Sequence, residues 1–432
     1  MKTCNKLFSL CSSFHHTFRF RYFSHYWRFG STTRTFSIKS FSSEVSPAEP
    51  PKRKSKAVKS APVLDYVTSK VFPNELSLIP KRALRVQAKP ATTGYIVDRD
   101  VAQDIENILE QEDLDKTGTA VEISPGLGYL TTCLDHLGLE HLICFEEDLN
   151  LALRLQLKFT HVQVIKRRFL RLAQLAHADS LDGENRVPLL LAKVKETIEP
   201  SRLYIFGVTP GIDITKFSIQ TLISNKVFYD EQVGFEHPVY YLVLGPRAYQ
   251  IISAGPSDGF YNYRFASVLF QLLFKWKVLK TFPSQAFLPW QSTDVVGREQ
   301  SNRGRSPLPQ PHTSYFVKFE TNFHLLDQLN KENLFSFYFF VRHNLFSRRC
   351  RVIPNLEKFV PDCGPRLIRK GFTIFTHFGE LSPEQILELY LEFSSWPELE
   401  FSSFGTAAEN LRSKFEIADE NVIIDEKSNR KD

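Results

Sequence analysis

Between residues 95 and 320, short apolar or β-branched runs alternate with stretches of helical spacing. Residues 119–123 (TAVEI) have the make-up of a short buried strand, 124–128 (SPGLG) are a Pro/Gly turn, and 129–137 show helical spacing that stops at Gly138. Ahead of them, 95–110 opens with Asp98 as a helix cap and sets Val101, Ile105, Ile108 and Leu109 on one face. A second strand at 141–145 ends in Glu146, Glu147 and Asp148. A leucine-rich helix (149–159) follows, then a third strand (162–165) running into Lys166, Arg167, Arg168 and Phe169. After helix and variable loop at 171–200, a fourth buried strand (202–207, RLYIFG) ends in Val208, Thr209, Pro210 and Gly211. Strands at 237–252 and 276–282 flank a helix at 261–274; 287–305 reads as loop and 314–320 as a last strand. This alternation predicts an α/β fold with a parallel, helix-covered sheet. From residue 325 the pattern is helical, with helices at 355–370 and 382–393, which predicts a small helical C-terminal domain. The expected organisation is an α/β domain at 64–322, a helical domain at 323–408 and a flexible tail at 409–432.

Composition changes this picture at the N-terminus. Residues 1–60 hold 12 Lys/Arg against 2 Asp/Glu, whereas the rest of the chain holds 42 against 46, so the net +6 resides in the leader and nucleic-acid binding by the body requires local patches. Residues 1–43 are rich in Arg and Ser and lack acids, the signature of a mitochondrial transit peptide; a basic tail that binds nucleic acid is the alternative. Residues 44–63, with PKRKSK, form a charged, Pro-rich linker or a nuclear localisation signal. The six cysteines form no CxxC pair, so neither a zinc site nor a disulfide framework is expected. No apolar run approaches the ~18 residues of a membrane helix, and no membrane partner is expected.

The chemistry centres on the turn at 124–128. Gly126 and Gly128 let backbone pass close to a ligand, and the following helix presents unpaired N–H groups. An acid at the end of the next strand, Glu146, stands where such sheets bind the hydroxyls of a ribose. Thr131 occupies the place of the third glycine of a dinucleotide fingerprint, so a turn with only a structural purpose is the competing reading.

Taken in order, YIVD at 95–98, EISPGLGYLT at 122–131, Glu146, PSQAFLP at 283–289 and FSRR at 346–349 resemble the rRNA adenine N6-dimethyltransferases. The resemblance implies a Rossmann-like S-adenosylmethionine-dependent methyltransferase domain with a small helical C-terminal domain, and a cofactor pocket lined by Ile96, Ser124, Gly126, Gly128 and Glu146. It also shows departures. Catalysing members carry glycine where Ser124 stands, an adenine-holding aspartate where Arg168 stands, and Asn-Leu-Pro-Tyr or Phe where Val208-Thr209-Pro210-Gly211 stand. Valine accepts no hydrogen bond from an adenine amine and glycine offers no ring to stack on it. The expectation is that dimethylation is gone or feeble, no catalytic residue survives, and the S-adenosylmethionine pocket is vestigial.

A family member with a mitochondrial leader and an eroded pocket implies a transcription initiation factor of the mitochondrial matrix and nucleoid. Its partners would be the mitochondrial RNA polymerase and single-stranded promoter DNA. The residues expected to contact nucleic acid are Arg168, Arg342, Arg348 and Arg349. Lys81, Arg82, Arg85, Lys166, Arg167, His343 and Arg351 are further candidates, beside Tyr338, Phe339, Phe340 and Phe346, which read more readily as helix core. Two other readings stand beside it: an active small-subunit rRNA dimethyltransferase, and an RNA-binding or ribosome-assembly protein that kept only the fold.

Overall fold

The structure is a computed structural model that describes residues 61–191, 202–224, 227–228, 237–259, 261–291, 312–347 and 350–412. The expected leader, most of the expected linker, and residues 413–432 lie outside the described residues.

Nine strands are described: β1 (Tyr95–Ile96), β2 (Thr119–Ile123), β3 (His141–Phe145), β4 (Gln163–Ile165), β5 (Leu203–Thr209), β6 (Val239–Leu244), β7 (Phe274–Pro283), β8 (Phe287–Leu288) and β9 (Thr313–Thr321). Seven form one sheet in the order β4-β3-β2-β5-β6-β9-β7. The first five run parallel, and β9 runs antiparallel to both β6 and β7. Strands β1 and β8 make a separate two-stranded ladder. The helices are α1 (Ala61–Lys70), α2 (Pro73–Leu76), α3 (Arg99–Glu110), α4 (Tyr129–His136), α5 (Leu149–Lys158), α6 (Leu172–Asp182), α7 (Arg186–Leu191), α8 (Asp213–Ser224), α9 (Pro246–Ser253) and α10 (Phe265–Leu273). They continue with α11 (Phe323–Asn344), α12 (Val352–Leu356), α13 (Gly364–Arg369) and α14 (Pro383–Ser394).

Every residue of β2, β5 and β6 is buried, as expected of parallel strands covered on both faces. Alternation divides them. Val121, Ile123, Ile143 and Phe145 face one apolar cluster, which continues without a break through α8 and α10 into Phe337, Phe340, Tyr390 and Phe393 of the C-terminal helices. Ala120, Leu142 and Cys144 face the second cluster with α3, α4, α5 and the N-terminal residues Val63, Val67 and Val71. Helix α3 begins where its cap predicts, with an Asp98 carboxylate oxygen accepting from the Asp100 N–H at 3.1 Å. Helix α14 opens on a Ser382 capping box closed by Gln385.

The structure revises several expected boundaries. Strand β5 runs two residues further than its apolar run suggested, because β-branched Val208 and Thr209 stay in register with Val243 and Leu244 of β6. The stretch 237–252 is a strand and then a helix, divided at Gly245-Pro246, where proline suits the first helical turn. The helix expected at 355–370 is two short helices, since Pro361 and the left-handed Asp362 (φ 62°) interrupt it. The expected loop after residue 286 contains β8, and helix α1 begins at Ala61, within the expected linker.

Candidate functional site

Strand order reverses direction at β2, whose neighbours are β3 and β5, and the carboxyl ends of these three strands form the crevice where such sheets bind ligands. The turn after β2 takes three left-handed residues, Ser124 (φ 51°), Gly126 (φ 59°) and Gly128 (φ 76°). Serine in this region is strained, so the backbone takes a glycine-like path at a position held by serine. The Ser124 N–H donates to the Phe145 carbonyl at 2.9 Å, tying the turn to the end of β3.

Glu146 turns inward under this loop and is 1% exposed. Its carboxylate accepts from the Gly126 N–H at 3.1 Å and from the Asp148 N–H at 2.9 Å. Burial raises its pKa, and the backbone donors work against that rise. On the other side of Gly126 lies the Tyr95 ring: a Cβ added to that glycine would stand 2.6 Å from Tyr95 Cδ1. The close approach that Gly126 permits is therefore filled by the chain's own aromatic. The Tyr95 phenol is pushed up by burial first and by the Glu146 charge second. Ile96, in β1, is buried at 4% and pairs with Phe287. Beneath the loop, Glu122 is fully enclosed in β2, accepts from the Thr131 hydroxyl at 2.7 Å, and is pushed up to about 8 by burial.

At the end of β5 the arrangement is closed. Val208 is 3% exposed, and its carbonyl accepts from the Gly94 N–H at 2.8 Å. A Cβ added to Gly211 would stand 2.9 Å from the Ala91 carbonyl oxygen. The segment leading into β1 thus lies directly on the Val208–Gly211 turn. Between that turn and the stretch Ser284, Phe287 and Pro289 there is a cavity of about 10 Å³. A space of this size holds about one water and no base.

The expected nucleic-acid residues fall in separate places. Arg168, at the end of β4, donates to Glu147 Oε2 at 2.7 Å and is therefore an ion-paired cation at the crevice mouth. Arg342, near the end of α11, donates to the Tyr338 hydroxyl at 2.9 Å. Arg348 and Arg349 lie outside the described residues. Tyr338, Phe339 and Phe340 are core, whereas Phe346 is 88% exposed.

One group escaped the sequence reading. Glu75 of α2 is buried, accepts from the Tyr129 hydroxyl at 2.6 Å, and pairs with Arg154 of α5 and, at 3.6 Å, with Arg99 of α3. The Arg99 guanidinium also lies 3.2 Å from the centre of the Phe72 ring. Burial opposes ionisation of Glu75, but the hydrogen bonds from Tyr129 and Arg154 outweigh it and hold the carboxyl below the ordinary glutamate range. A four-residue helix has no periodicity to read, and partners 54 and 79 residues away along the chain leave no local signal.

This strand order, with a left-handed glycine turn at the reversal and a helical C-terminal part, defines a methyltransferase-type α/β fold, and residues 89–393 match the family described as ribosomal RNA adenine dimethylase. The chain belongs to that family, whose chemistry depends on S-adenosylmethionine. Over 393 aligned residues it is 30% identical to the protein named "Dimethyladenosine transferase 2, mitochondrial" of Drosophila melanogaster, covering 80% of this chain and 86% of the relative. Among solved structures, the 23S rRNA methyltransferase ErmE aligns at 17% identity and TM-score 0.42, covering 70% of this chain and all of that one. A dimethyladenosine transferase from Plasmodium falciparum aligns at 13% and 0.41, covering 72% of this chain and 98% of that one.

Proposed function

We propose that the chain is a mitochondrial transcription initiation factor that joins the mitochondrial RNA polymerase and holds promoter DNA open, on a dimethyltransferase fold whose methyl transfer is gone or feeble. The observation that carries the loss of chemistry is the closed end of β5. Val208 is buried with its carbonyl already bonded to Gly94, Gly211 presents no ring, and the adjoining space is about 10 Å³. Removing one oriented hydrogen-bonding group costs roughly 10² to 10³ in rate, and here the stacking surface is missing as well. The cofactor side supports the same reading. Glu146 is turned into the protein, Tyr95 sits on Gly126, and Arg168, paired with Glu147, stands where the family resemblance calls for an acceptor for adenine. As arranged, these residues do not fit S-adenosylmethionine, and we assign it no step.

A fold that holds a single RNA strand with one base turned outward needs only its cations and exposed rings to hold a melted DNA strand. Residence in the mitochondrial matrix is part of this reading, supported by the acid-free N-terminal stretch and by the mitochondrial relative. The test is promoter-dependent run-off transcription with the cognate polymerase, together with calorimetry against S-adenosylmethionine and a methyl-transfer assay on a small-subunit rRNA hairpin. The proposal expects transcript only when the protein is present, and no methylated adenine. Efficient dimethylation without stimulated initiation would establish the second reading, an active rRNA dimethyltransferase, which the intact Pro-Gly-x-Gly run at 125–128 and the presence of an acid at 146 favour.

A further inference from the structure

We propose that Phe375, held beside Arg351, forms a base-stacking platform for single-stranded nucleic acid on the helical C-terminal part; this deepens the strand-holding role above and rests on it. Phe375 is 63% exposed and its neighbour Ile374 is 52% exposed. Exposing two large apolar side chains in succession contributes nothing to the core, and the loop that carries them is not loose. The Val352 N–H donates to the Thr376 carbonyl at 2.9 Å, the Phe378 N–H donates to the Cys350 carbonyl at 3.0 Å, and Arg351 and His377 form an antiparallel bridge between them. Within the loop, the Thr373 N–H donates to the Thr376 hydroxyl at 2.9 Å and the Phe375 N–H to the Thr373 hydroxyl at 3.2 Å. These bonds fix the tip before any partner arrives.

The partner class follows from charge. Residues 342–377 hold eight Lys/Arg and two Asp/Glu, while the remainder of 61–432 holds 34 and 44, so this stretch is a basic island on an acidic body. The Arg351 guanidinium lies 5.4 Å from the centre of the Phe375 ring, and among the described residues Arg351 makes no ion pair. Its charge is therefore available to a phosphate while the ring is available to a base. Within the stretch Arg366 and Lys370 are already paired with Glu398 and Glu392; an apolar protein surface would use the ring and leave Arg351 unanswered, whereas a nucleic-acid strand uses both.

The test is fluorescence anisotropy of a labelled oligothymidylate with the full chain, its Phe375→Ala, Phe375→Tyr and Arg351→Gln variants, across a salt series. Phe375→Ala should weaken binding by roughly 5- to 100-fold, with Phe375→Tyr close to the parent. Phe375→Ala should leave the salt slope unchanged, while Arg351→Gln should lower it by about 0.7, the share of one phosphate contact on a single strand. The melting temperature should not move, since the ring is outside the core. Binding of Phe375→Ala within twofold of the parent overturns the platform but leaves the strand-holding role intact. Loss of polymerase association with unchanged oligonucleotide binding would make the surface a protein-docking site and also overturns it. Failure of the unaltered chain to bind the strand removes both readings.

Discussion

Placing the Asn and Tyr that the family resemblance implies at this turn, with Val208→Asn and Gly211→Tyr, should not raise methyl transfer and should destabilise the protein. An asparagine at 208 brings two N–H donors and an acceptor into a buried position beside a cavity of about 10 Å³, where about one water fits. Leaving even one of those groups unpaired costs roughly 1–3 kcal/mol. A tyrosine at 211 meets the Ala91 carbonyl oxygen 2.9 Å from its Cβ and Asp213 Oδ2 at 3.0 Å, so the crossing segment must move and the Gly94–Val208 hydrogen bond is put at risk. Overpacking of this kind costs a further ~1–3 kcal/mol. The pair should therefore lose on the order of 2–6 kcal/mol, seen as a melting temperature several degrees lower. Transfer of labelled methyl from S-adenosylmethionine to a small-subunit rRNA hairpin should stay at the parent's level, because Arg168 and the inward Glu146 are untouched. Dimethyladenosine formed by the double variant at a stable melting temperature would refute both the packing argument and the claim that the cofactor side is impaired.

Other parts of the site give independent checks. Ser124→Gly relieves a left-handed serine (φ 51°) and should stabilise the fold by up to ~1 kcal/mol in chemical denaturation; a clear loss would show that the hydroxyl is needed. Because Glu122 is pushed up to about 8 from an ordinary 4.5, the folded state holds a proton that the unfolded chain releases between those values. Its stabilising contribution is complete below about pH 4.5 and lost as pH rises through about 8. Glu122→Gln should flatten that decline and exceed the parent at pH 9 by on the order of 3–5 kcal/mol, and parallel pH profiles would refute it. Glu75→Ala leaves Arg154 without its carboxylate and should cost roughly 2–4 kcal/mol. Limited trypsin digestion should then cut at Lys70 and Lys81 sooner than in the parent.

Much of the α/β core was legible because its signals are local. β2 and β3 occupy the residues their runs predicted, and Asp98 caps α3 through its own side chain. The glycine turn was equally readable, since only a few residue types tolerate its backbone. What escaped depends on contacts between distant segments. Nothing in the run 202–207 says that the strand will continue through Thr209; β6 decides that by pairing. Nothing near residue 95 says that the Tyr95 ring will lie on Gly126, and nothing near residue 75 announces a carboxylate shared by three helices. The fate of Glu146 shows the same limit. Its position at the strand end was visible, while its inward orientation depends on two N–H donors that only the folded loop provides.

The family match begins at residue 89, yet Val63, Val67, Val71, Ile79 and Ala83 ahead of it are each at most 6% exposed in the second apolar cluster. A fragment trimmed to the matching region would shed these side chains together with the Glu75 anchor and uncover greasy surface above α3, α4 and α5. The smallest portion worth expressing therefore starts at about Ala61. Any truncation that removes the basic N-terminal stretch has to stop upstream of that same residue to keep these contacts.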